Sequence, residues 1–418
     1  MDEQLLCLNC RRSTIKDSEA VHREPEDEPA AGMKTFRFKL YHSDHNNALM
    51  RQIDIAGLIY NHCIALQKRY YRLFGKYIKA YTMMQHLTTL KRTRRFAYMC
   101  KLGSQAVQNV AERIDRAYKL FWSNLKRKVK CSPPKFRAVR RYKSFTLKQT
   151  GWSLDEQTGR IRLGKRWYGY FQSRMIEGKV KTVTVKRDAV GDIYVYLCCD
   201  TQSDSVGVRT GKSVGFDFGL KTFLTASDGQ DIISPDFFKQ NAKRIRIASR
   251  ALSRKQKGSN NREHARIVLA RAYRRMENQR HDFHFKLARR LCEEYAYICL
   301  ETLNIKGMAR LWGRKIHTLA FSEFVKILSY EALKLGTQII FVSQYYPSSQ
   351  LCSVCGYQNP EVKDLKVREW ECPSCGSYHE RDRNAAKNIL MAGASAISVD
   401  AVKPVSAGSV VDARIPRL

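Results

Sequence analysis

Val214-Gly-Phe-Asp-Phe-Gly219 has the pattern of an apolar strand that carries a single acid, Asp217. An ionised carboxylate in such a strand needs a metal or another cation to offset the loss of its hydration. Tyr297-Ile-Cys-Leu-Glu301 repeats the pattern, with Glu301 at the end of a second apolar strand. Both acids are expected at strand ends of one sheet, where α/β folds build their sites. Taken alone, either acid is better explained as a helix cap or the partner of an arginine.

A third acid, Asp382, favours a joint function. It lies in His379-Glu-Arg-Asp-Arg-Asn-Ala-Ala-Lys-Asn-Ile-Leu390, which predicts a helix start with the acid near the positive N-terminus. The Ala385-Ala386 pair in this segment allows close packing on a sheet. Three acids on two strands and one helix can hold two hard divalent ions roughly 4 Å apart, which is the arrangement for phosphodiester hydrolysis. We therefore expect two Mg²⁺ ions, or Mn²⁺, at this site.

The cysteine spacing gives the strongest local signal. Cys352-Ser-Val-Cys355-Gly and Cys372-Pro-Ser-Cys375-Gly have the form of two zinc knuckles, with sixteen residues between Cys355 and Cys372. The pattern predicts one Zn²⁺ held by four thiolates, and such a closed shell is structural because it leaves no position for water. Cys7-Leu-Asn-Cys10 has no second pair near it and is interpreted as two thiols in a disordered leader.

The charge balance indicates a nucleic-acid partner. Lys and Arg number 75 against 39 Asp and Glu, a net charge of +36 that calls for a polyanion to neutralise it. Residues 1–32 are different, with four basic and eight acidic residues, which predicts an appended and disordered leader. No window approaches 18 uncharged apolar residues, and no signal peptide precedes the chain, so we expect an intracellular protein without a membrane segment.

The order of elements predicts a multidomain α/β protein. The first half of the chain indicates a β-barrel that is interrupted by a proline-free helical segment over 46–130. Apolar and basic residues alternate at 34–40, and further strands are predicted at 145–147, 160–163, 180–185 and 193–198. After residue 211 the elements alternate in the way that is typical of an α/β sheet. They are a strand-turn-strand, a basic helical hairpin over 239–295 broken at 258–260, a strand at 295–303, a helix at 322–335 and a strand at 337–343. Past Ala394 the sequence indicates no fixed structure.

These segments resemble TnpB proteins, the OrfB family of insertion sequences related to type V CRISPR effectors. The resemblance rests on four motifs in order and extends over residues 33–395, since Phe36-Arg-Phe-Lys-Leu-Tyr41, Tyr60-Asn61, 117–121 and Pro134-Lys-Phe136 are similar to the family's amino-terminal landmarks. The four motifs are Gly215-Phe-Asp-Phe-Gly-Leu-Lys221, Leu300-Glu-Thr-Leu-Asn-Ile-Lys-Gly-Met308, Pro347-Ser-Ser-Gln-Leu-Cys-Ser-Val-Cys-Gly356 and Arg381-Asp-Arg-Asn-Ala-Ala386.

The resemblance implies a domain assignment. Asp217, Glu301 and Asp382 match the catalytic acids of a RuvC-like, ribonuclease H-like nuclease domain. The implied domains are an acidic leader (1–32), a wedge β-barrel (33–45 and 134–206), a helical recognition lobe (46–133), the RuvC-like domain (207–345 and 379–395), a target-binding zinc ribbon (346–378) and a flexible tail (396–418).

The function implied is that of an RNA-guided DNA endonuclease, in which a guide RNA pairs with one DNA strand and the protein reads a short flanking motif. Its partners would be guide RNA and double-stranded and single-stranded target DNA, with a monomer or a dimer on one RNA. Its place would be the prokaryotic cytoplasm, with the nucleoid. A compact type V CRISPR effector, an RNA-guided repressor without cleavage and a strand-transfer transposase remain alternatives. Intact acids argue against the repressor.

Contacts to nucleic acid are expected in two places. The basic helices from Lys239 to Arg290 are expected to contact phosphates, because few acids are present to pair with them. In the helical lobe, side chains suited to stacking and amide hydrogen bonding could read bases, although core or surface roles are equally open for each. These residues are Tyr60, Asn61, Tyr81 and Gln85.

One departure from the family affects the nuclease half. The family commonly has Asp-Phe-x-His-Lys before the second acid, whereas Asp282-Phe-His-Phe-Lys286 puts Phe285 where that histidine would stand. Any role of that histidine is therefore not carried over. The acidic leader also has no clear counterpart in the family.

Overall fold

The structure is a computed structural model that describes residues 33–201, 207 and 209–400. The predicted leader, residues 1–32 with Cys7 and Cys10, lies outside the described residues, as do residues 401–418 of the predicted tail. No helix within the described ranges is long and apolar enough to cross a bilayer.

Seven strands form the first β unit. One antiparallel sheet has the order β1-β7-β6-β2 and a second has the order β3-β4-β5. In β7 the alternate residues Ile193, Val195, Leu197 and Cys199 are buried, which is the pattern of a strand with one face on a core. The strands are β1 Met33–Lys39, β2 Ser144–Leu147, β3 Trp152–Asp155, β4 Arg160–Leu163, β5 Arg166–Gly169, β6 Lys179–Arg187 and β7 Ile193–Asp200.

The two sheets join into a partly open barrel. Beyond β1 the chain continues to pair with the end of β5 through a Leu40–Tyr170 bridge, and the Phe171 N–H donates to Lys39 O at 2.8 Å. Within the described strands β2 and β3 do not pair, so the barrel is open at this seam. The hairpin expected around residues 191–192 is confirmed as β6 and β7.

Three helices interrupt the barrel and share its core. Ile53 and Ile59 of α1 and Val110 and Ile114 of α3 are buried in the same cluster as the barrel residues. This confirms the helical segment that the lack of prolines and the apolar spacing predicted. The helices are α1 Asn46–Phe74, α2 Ala80–Leu90 and α3 Ser104–Lys126, with a 3₁₀ helix at Arg94–Lys101. We call residues 46–126 the helical lobe.

The second unit is built on a five-stranded sheet of order β10-β9-β8-β11-β12. Strands β8, β11 and β12 are parallel, whereas β9 and β10 pair antiparallel beside β8. The predicted strand-turn-strand and the two later strands are therefore confirmed as one sheet. The strands are β8 Ser213–Asp217, β9 Leu224–Ala226, β10 Asp231–Ile232, β11 Tyr297–Glu301 and β12 Gln338–Val342.

Helices cover both faces of this sheet. The hairpin predicted around residues 258–260 is confirmed as α4 and α5, and α7 packs against α5. The helix α6 was not predicted, because its basic sequence contains two glycines and a kink at Trp312. The last helix runs to Asp400, past Ala394 where the sequence indicated no fixed structure. The helices are α4 Phe237–Ser253, α5 Asn260–Glu294, α6 Ile305–Leu319, α7 Phe321–Leu335 and α8 Arg381–Asp400.

A small ribbon precedes α8. Its two strands, β13 Glu369–Glu371 and β14 Tyr378–Glu380, pair antiparallel, and a 3₁₀ helix covers Pro360–Lys363. Its small core contains Val362 and Trp370 with two of the clustered cysteines. So few apolar residues give little burial energy, and a bound metal would supply the rest.

Candidate active site

Two of the predicted acids end neighbouring parallel strands. Phe216 of β8 is opposite Leu300 of β11, so Asp217 and Glu301 each follow one residue later at the same edge of the sheet. The alternation of each strand fixes their direction. Phe216 and Leu300 pack on the side of α5 and α7, whereas Cys299, two residues before Glu301, packs on the side of α8. Both acids therefore face α8, which carries Asp382 in its first turn.

Glycine and alanine allow α8 to lie directly on the sheet. A Cβ atom on Gly215 would lie 2.3 Å from the carbonyl oxygen of Ala386 and 2.6 Å from the amide nitrogen of Leu390. On the other side of the contact, a Cβ atom on Gly393 would meet the Cys299 sulfur at 2.3 Å. Ala385 and Ala386 are buried, as their predicted packing role requires. This close approach sets the position of Asp382 above the strand ends.

The negative charges of Glu301 and Asp382 both act on Asp217, so these two acids lie within electrostatic range of it. Burial, and then the negative charges of Asp382 and Glu301, raise the pKa of Asp217 to about 7, with Arg381 acting in the opposite direction. Burial also raises the pKa of Glu301 to about 7. Carboxylates that oppose one another's ionisation in this way need a cation to hold them charged together. Oxygen donors of this kind suit Mg²⁺ or Mn²⁺, so the residues fit the predicted ions.

The predicted cysteines meet in the ribbon. The sulfur atoms of the four cysteines all lie within 4.8 Å of one another. The cysteines are Cys352, Cys355, Cys372 and Cys375. The sulfurs of Cys352 and Cys375 are 3.7 Å apart, and those of Cys355 and Cys372 are 3.5 Å apart. A tetrahedral zinc with bonds of about 2.3 Å requires sulfurs about 3.8 Å apart, so the four thiols fit one Zn²⁺.

The turns of the two knuckles have the geometry that their glycines predicted. Gly356 and Gly376 have φ values of 76° and 68°, in the left-handed region that favours glycine. The N–H groups of Val354 and Cys355 point at the Cys352 sulfur at 3.4 and 3.5 Å. Such N–H groups stabilise a thiolate, which is the form that binds zinc.

Two asparagines of α8, which were not predicted as site residues, join the ribbon to this helix by hydrogen bonds. Asn384 Nδ2 donates to Leu351 O at 2.6 Å, and Asn384 Oδ1 accepts from Ser353 N at 3.0 Å. Asn388 Nδ2 donates to the carbonyls of Ser348 and Leu351, both at 2.7 Å. Both asparagines are buried. Their spacing of four residues, on a helix that otherwise buries alanine and isoleucine, was a signal in the sequence for a polar contact.

One further contact lies within the ribbon, and a second joins the ribbon to the start of α8. His379 Nε2 lies 3.0 Å from the Cys352 sulfur, and His379 is buried against Trp370. Arg368 Nη1 lies 3.5 Å from Asp382 Oδ1. The second cysteine pair and Asp382 are therefore close to each other in the sequence.

The residues selected in the helical lobe divide into two pairs. Tyr60 is only 7% exposed, and its hydroxyl donates to Lys135 O at 3.2 Å. Asn61 bonds to both backbone groups of Arg137, at 2.7 and 2.9 Å. These two side chains hold the segment after the lobe, and their role as base-reading groups stays a prediction. Tyr81 and Gln85 are exposed on α2, and their nucleic-acid contact stays a prediction.

His284 precedes Phe285, the position where the family commonly has histidine, and it is part of the core. His284 is fully buried between Phe223 and Phe324, with ring centroids 5.6 and 5.5 Å away. Burial, and then the charges of Arg280 and His281, lower the pKa of His284 to about 4. Phe285 packs near Tyr330 instead, so neither position presents a charged imidazole at the acids.

Family models match both halves of the site. Residues 196–311 match the OrfB_IS605 model, described as "Probable transposase", and residues 321–389 match the model described as "Cas12f1-like, TNB domain". The first segment contains Asp217 and Glu301, and the second contains the four cysteines and Asp382. With the relatives below, these matches confirm the resemblance to TnpB proteins.

Similar proteins align over most of the chain. A protein of Streptomyces pristinaespiralis named "Putative RNA-guided DNA endonuclease" is 29% identical over 384 residues, covering 89% of this chain and 92% of that protein. InsQ of Escherichia coli K12, which has the same descriptive name, is 27% identical over 380 residues, covering 86% and 92%. TnpB-like protein L79 of Acanthamoeba polyphaga mimivirus is 32% identical over 231 residues, covering 51% and 43%.

Two solved structures share the fold. The Cas12f1 chain of a Cas12f1-sgRNA-target DNA complex has a TM-score of 0.52 at 16% identity, with 83% of each chain covered. The mini-RNA-guided endonuclease CRISPR-Cas_phi3 has a TM-score of 0.51 at 9% identity, with 86% of this chain and 92% of that chain covered. These likenesses confirm the multidomain α/β fold class that the order of elements predicted.

Proposed function

We propose that this chain, which is similar to TnpB proteins over most of its length, is a metal-dependent, RNA-guided DNA endonuclease associated with a transposon. The observation that carries the proposal is the convergence of Asp217, Glu301 and Asp382 from two strand ends and one helix onto a single edge. The names of the relatives that align over most of the chain support RNA-guided cleavage of DNA as its function.

In this proposal the three carboxylates hold two Mg²⁺ or Mn²⁺ ions. When bound, these ions would activate water and stabilise the leaving oxygen of the phosphodiester. Asp217 is suited to the central position, because the charges of both other acids act on it. Asp382 comes from the helix, and the close contact at Gly215 holds it above the strand ends. The protein's part is to fix the three oxygen donors in place, and this removes the need to reorganise them during reaction.

The selection of the target is assigned to a bound RNA. A net charge of +36 suits a protein that carries an RNA–DNA heteroduplex along a basic surface. In such complexes base pairing reads the sequence, and the protein reads duplex shape and a short flanking motif. The basic helices α4 and α5 supply phosphate contacts in this proposal, and guide RNA with double-stranded and single-stranded target DNA are the partners.

We assign the remaining parts as the resemblance implied. The four cysteines hold one structural Zn²⁺, because four thiolates leave no position for water. The wedge barrel takes residues 33–45 and 134–206, the recognition lobe 46–133, the nuclease domain 207–345 and 379–395, and the target-binding ribbon 346–378. The cell compartment is the prokaryotic cytoplasm with the nucleoid.

A compact type V CRISPR effector is the second candidate, favoured by the fold shared with Cas12f1 and CRISPR-Cas_phi3. Its chemistry at the three acids would be the same, so the two candidates differ only in the guide. Sequencing the RNA that copurifies with the chain separates them: a transposon-end RNA supports the first candidate, and a repeat-derived CRISPR RNA supports the second. The mass of the complex gives one or two chains per RNA.

Metal removal tests the chemistry. The purified complex is expected to cut target DNA with Mg²⁺, and a chelator should stop cutting while target binding in a gel-shift assay remains. Added Mg²⁺ or Mn²⁺ should restore cutting. Cutting that persists after chelation would contradict the metal-dependent site.

A further inference from the structure

A row of exposed aromatic rings lies on the outer face of β5 and the residues that follow it. Tyr168 and Tyr170 are buried in the barrel core, so the alternation of the strand turns Trp167, Gly169 and Phe171 outward. Trp167 and Phe171 are 47% and 48% exposed. Gly169, which lies between them on this face, has no side chain.

Tyr41 fills that position. A Cβ atom on Gly169 would lie 2.7 Å from Cδ2 of Tyr41, so glycine is needed for the Tyr41 ring to rest on the strand. The ring centroids of Tyr41 and Phe171 are 4.1 Å apart, and Tyr41 is 50% exposed. We call Tyr41, Trp167 and Phe171 the aromatic row. Adjacent exposed apolar groups of this kind mark a binding surface.

Cations lie on the same face. Ile161 and Leu163 of β4 are buried, so Arg160 and Arg162 point outward beside the row. The Arg162 guanidinium lies 6.0 Å from the centre of the Trp167 ring. Lys165, in the turn before β5, and Arg166, the first residue of β5, are also exposed. A cavity of about 400 Å³ opens beside the row, lined by Tyr41, Trp167 and Arg160 together with Ser43, His45 and Thr158.

The outer face of the other barrel sheet shows that this exposure is not general. There the ring of Tyr194 is covered by the Arg37 guanidinium at 4.1 Å, and the ring of Tyr196 by the Lys186 ammonium at 5.4 Å. Both tyrosines are only partly exposed. The aromatic row is therefore a local feature, in which about half of each side chain stays open to solvent.

We propose that the aromatic row stacks unpaired nucleotides of the bound guide RNA, while Arg160 and Arg162 contact their phosphates. This inference rests on the proposed function. Aromatic rings beside a basic groove are the means by which proteins hold single strands, because every base has a face that can stack. The surrounding cations favour a polyanion over a protein partner. RNA is the occupant chosen because the barrel that carries the row shares its core with the helical lobe, whereas DNA must reach the acids on the other sheet.

Binding of a labelled single-stranded RNA tests the proposal. The probe is an oligouridine of about twelve nucleotides, measured by fluorescence anisotropy on the full chain freed of RNA. Trp167→Ala and Tyr41→Ala are each expected to weaken binding roughly tenfold. Trp167→Phe should stay near wild type because it keeps a ring. Gly169→Ala should weaken binding without removing any ring, because it displaces Tyr41. Tyr330→Ala, at 42% exposure on α7, is the matched control and should change nothing.

The outcomes separate the possible occupants. Equal RNA affinity in wild type, Trp167→Ala and Tyr41→Ala overturns the proposal. If the variants lose affinity for an oligothymidine DNA but keep it for RNA, the displaced DNA strand replaces RNA as the occupant. If they change only self-association, the row is a protein contact. Cleavage by Trp167→Ala at saturating guide should remain, whereas absence of guided cleavage in the wild type refutes the proposed function and leaves the stacking measurement intact.

Discussion

The acid cluster and the cysteine cluster are built in opposite ways. The four cysteines belong to two short knuckles, and their sulfurs already lie within 4.8 Å of one another. The acids come from β8, β11 and the start of α8. Burial raises the pKa of both Asp217 and Glu301, and the charges of Asp382 and Glu301 raise that of Asp217 further. A closed set of thiolates has no free position and serves structure, whereas we propose that the acids hold ions that take part in a reaction.

The two clusters are nevertheless joined. Asn384 and Asn388 bind the backbone of the first knuckle, and they lie on the same helix as Asp382. Residues 382 and 388 lie within about two turns of one rigid helix, so a shift of the ribbon is passed to the third acid. Zinc binding and nuclease activity are therefore expected to depend on each other, although their ligands are separate.

The largest effect is expected at the acid cluster. Asp217→Ala, Glu301→Ala or Asp382→Ala should each lower DNA cleavage by roughly a thousandfold or more, because each removes a ligand of the ions that stabilise the transition state. Guide and target binding should remain within about twofold, since phosphate contacts elsewhere supply the affinity. Cleavage and gel-shift assays on the same preparations measure both.

Asp231→Ala is the matched control for the acids, because Asp231 is exposed on β10 of the same sheet but at its edge. It should cleave at the wild-type rate. Wild-type cleavage by any one of the three acid variants would contradict the assignment of the site.

The next largest effect is expected at the cysteine cluster. Cys352→Ser or Cys375→Ser should abolish stoichiometric zinc and unfold the ribbon, since structural zinc contributes on the order of 10 kcal/mol to such small domains. Elemental analysis after dialysis should find about one zinc per chain in the wild type. Cys100→Ser, which changes an exposed free thiol in the helical lobe, should keep its zinc. A folded, active wild type without zinc would refute the metal site.

The contact between the clusters gives a smaller effect. Asn384→Ala removes two hydrogen bonds of 2.6 and 3.0 Å. Leu351 O keeps its bond from Asn388, but the half-buried Ser353 N–H loses its side-chain partner, which costs about 1–3 kcal/mol. We expect zinc to be retained, the melting temperature to fall by several degrees, and cleavage to drop about tenfold with target binding unchanged. Asn47→Ala, at an exposed position of α1, is the control. Unchanged cleavage in the destabilised Asn384→Ala variant would show that the ribbon does not position Asp382.

The smallest effect is expected in the helical lobe, away from both clusters. Tyr60→Phe removes only the hydrogen bond to Lys135 O, so stability should fall by about 1 kcal/mol and guide-RNA affinity should not change. Thermal unfolding and RNA anisotropy measure the two quantities. A loss of RNA affinity without a loss of stability would show that the Tyr60 hydroxyl contacts RNA.

The two clusters also differ in what the sequence could predict. The cysteines were predictable because zinc knuckles depend on spacing within a few residues. Asp217 and Glu301 were found because acids in apolar strands are unusual, but only the parallel register and the alternation of β8 and β11 show that both face α8. Gly215 is understood only once α8 lies against it.

Other features of the structure could not be predicted, for physical reasons. Tyr60 and Asn61 have the chemistry of base-reading side chains, and sequence alone does not show that residues 135–137 use them. The helix α6 was missed because two glycines interrupt its basic sequence, although its apolar residues are spaced for one face of a helix. The ribbon contact of Asn384 depends on tertiary packing, which local periodicity does not contain.

The central claim is that a bound RNA directs the acid cluster to its DNA target, and exchange of the guide tests it most directly. The chain, stripped of its RNA and loaded with a copy carrying a new guide segment, should cut DNA that matches the new segment beside the same flanking motif. It should no longer cut the original target, and the RNA-free chain should cut neither at a specific position. Cutting of a fixed DNA sequence without RNA, or an unchanged target after the guide exchange, would contradict the account.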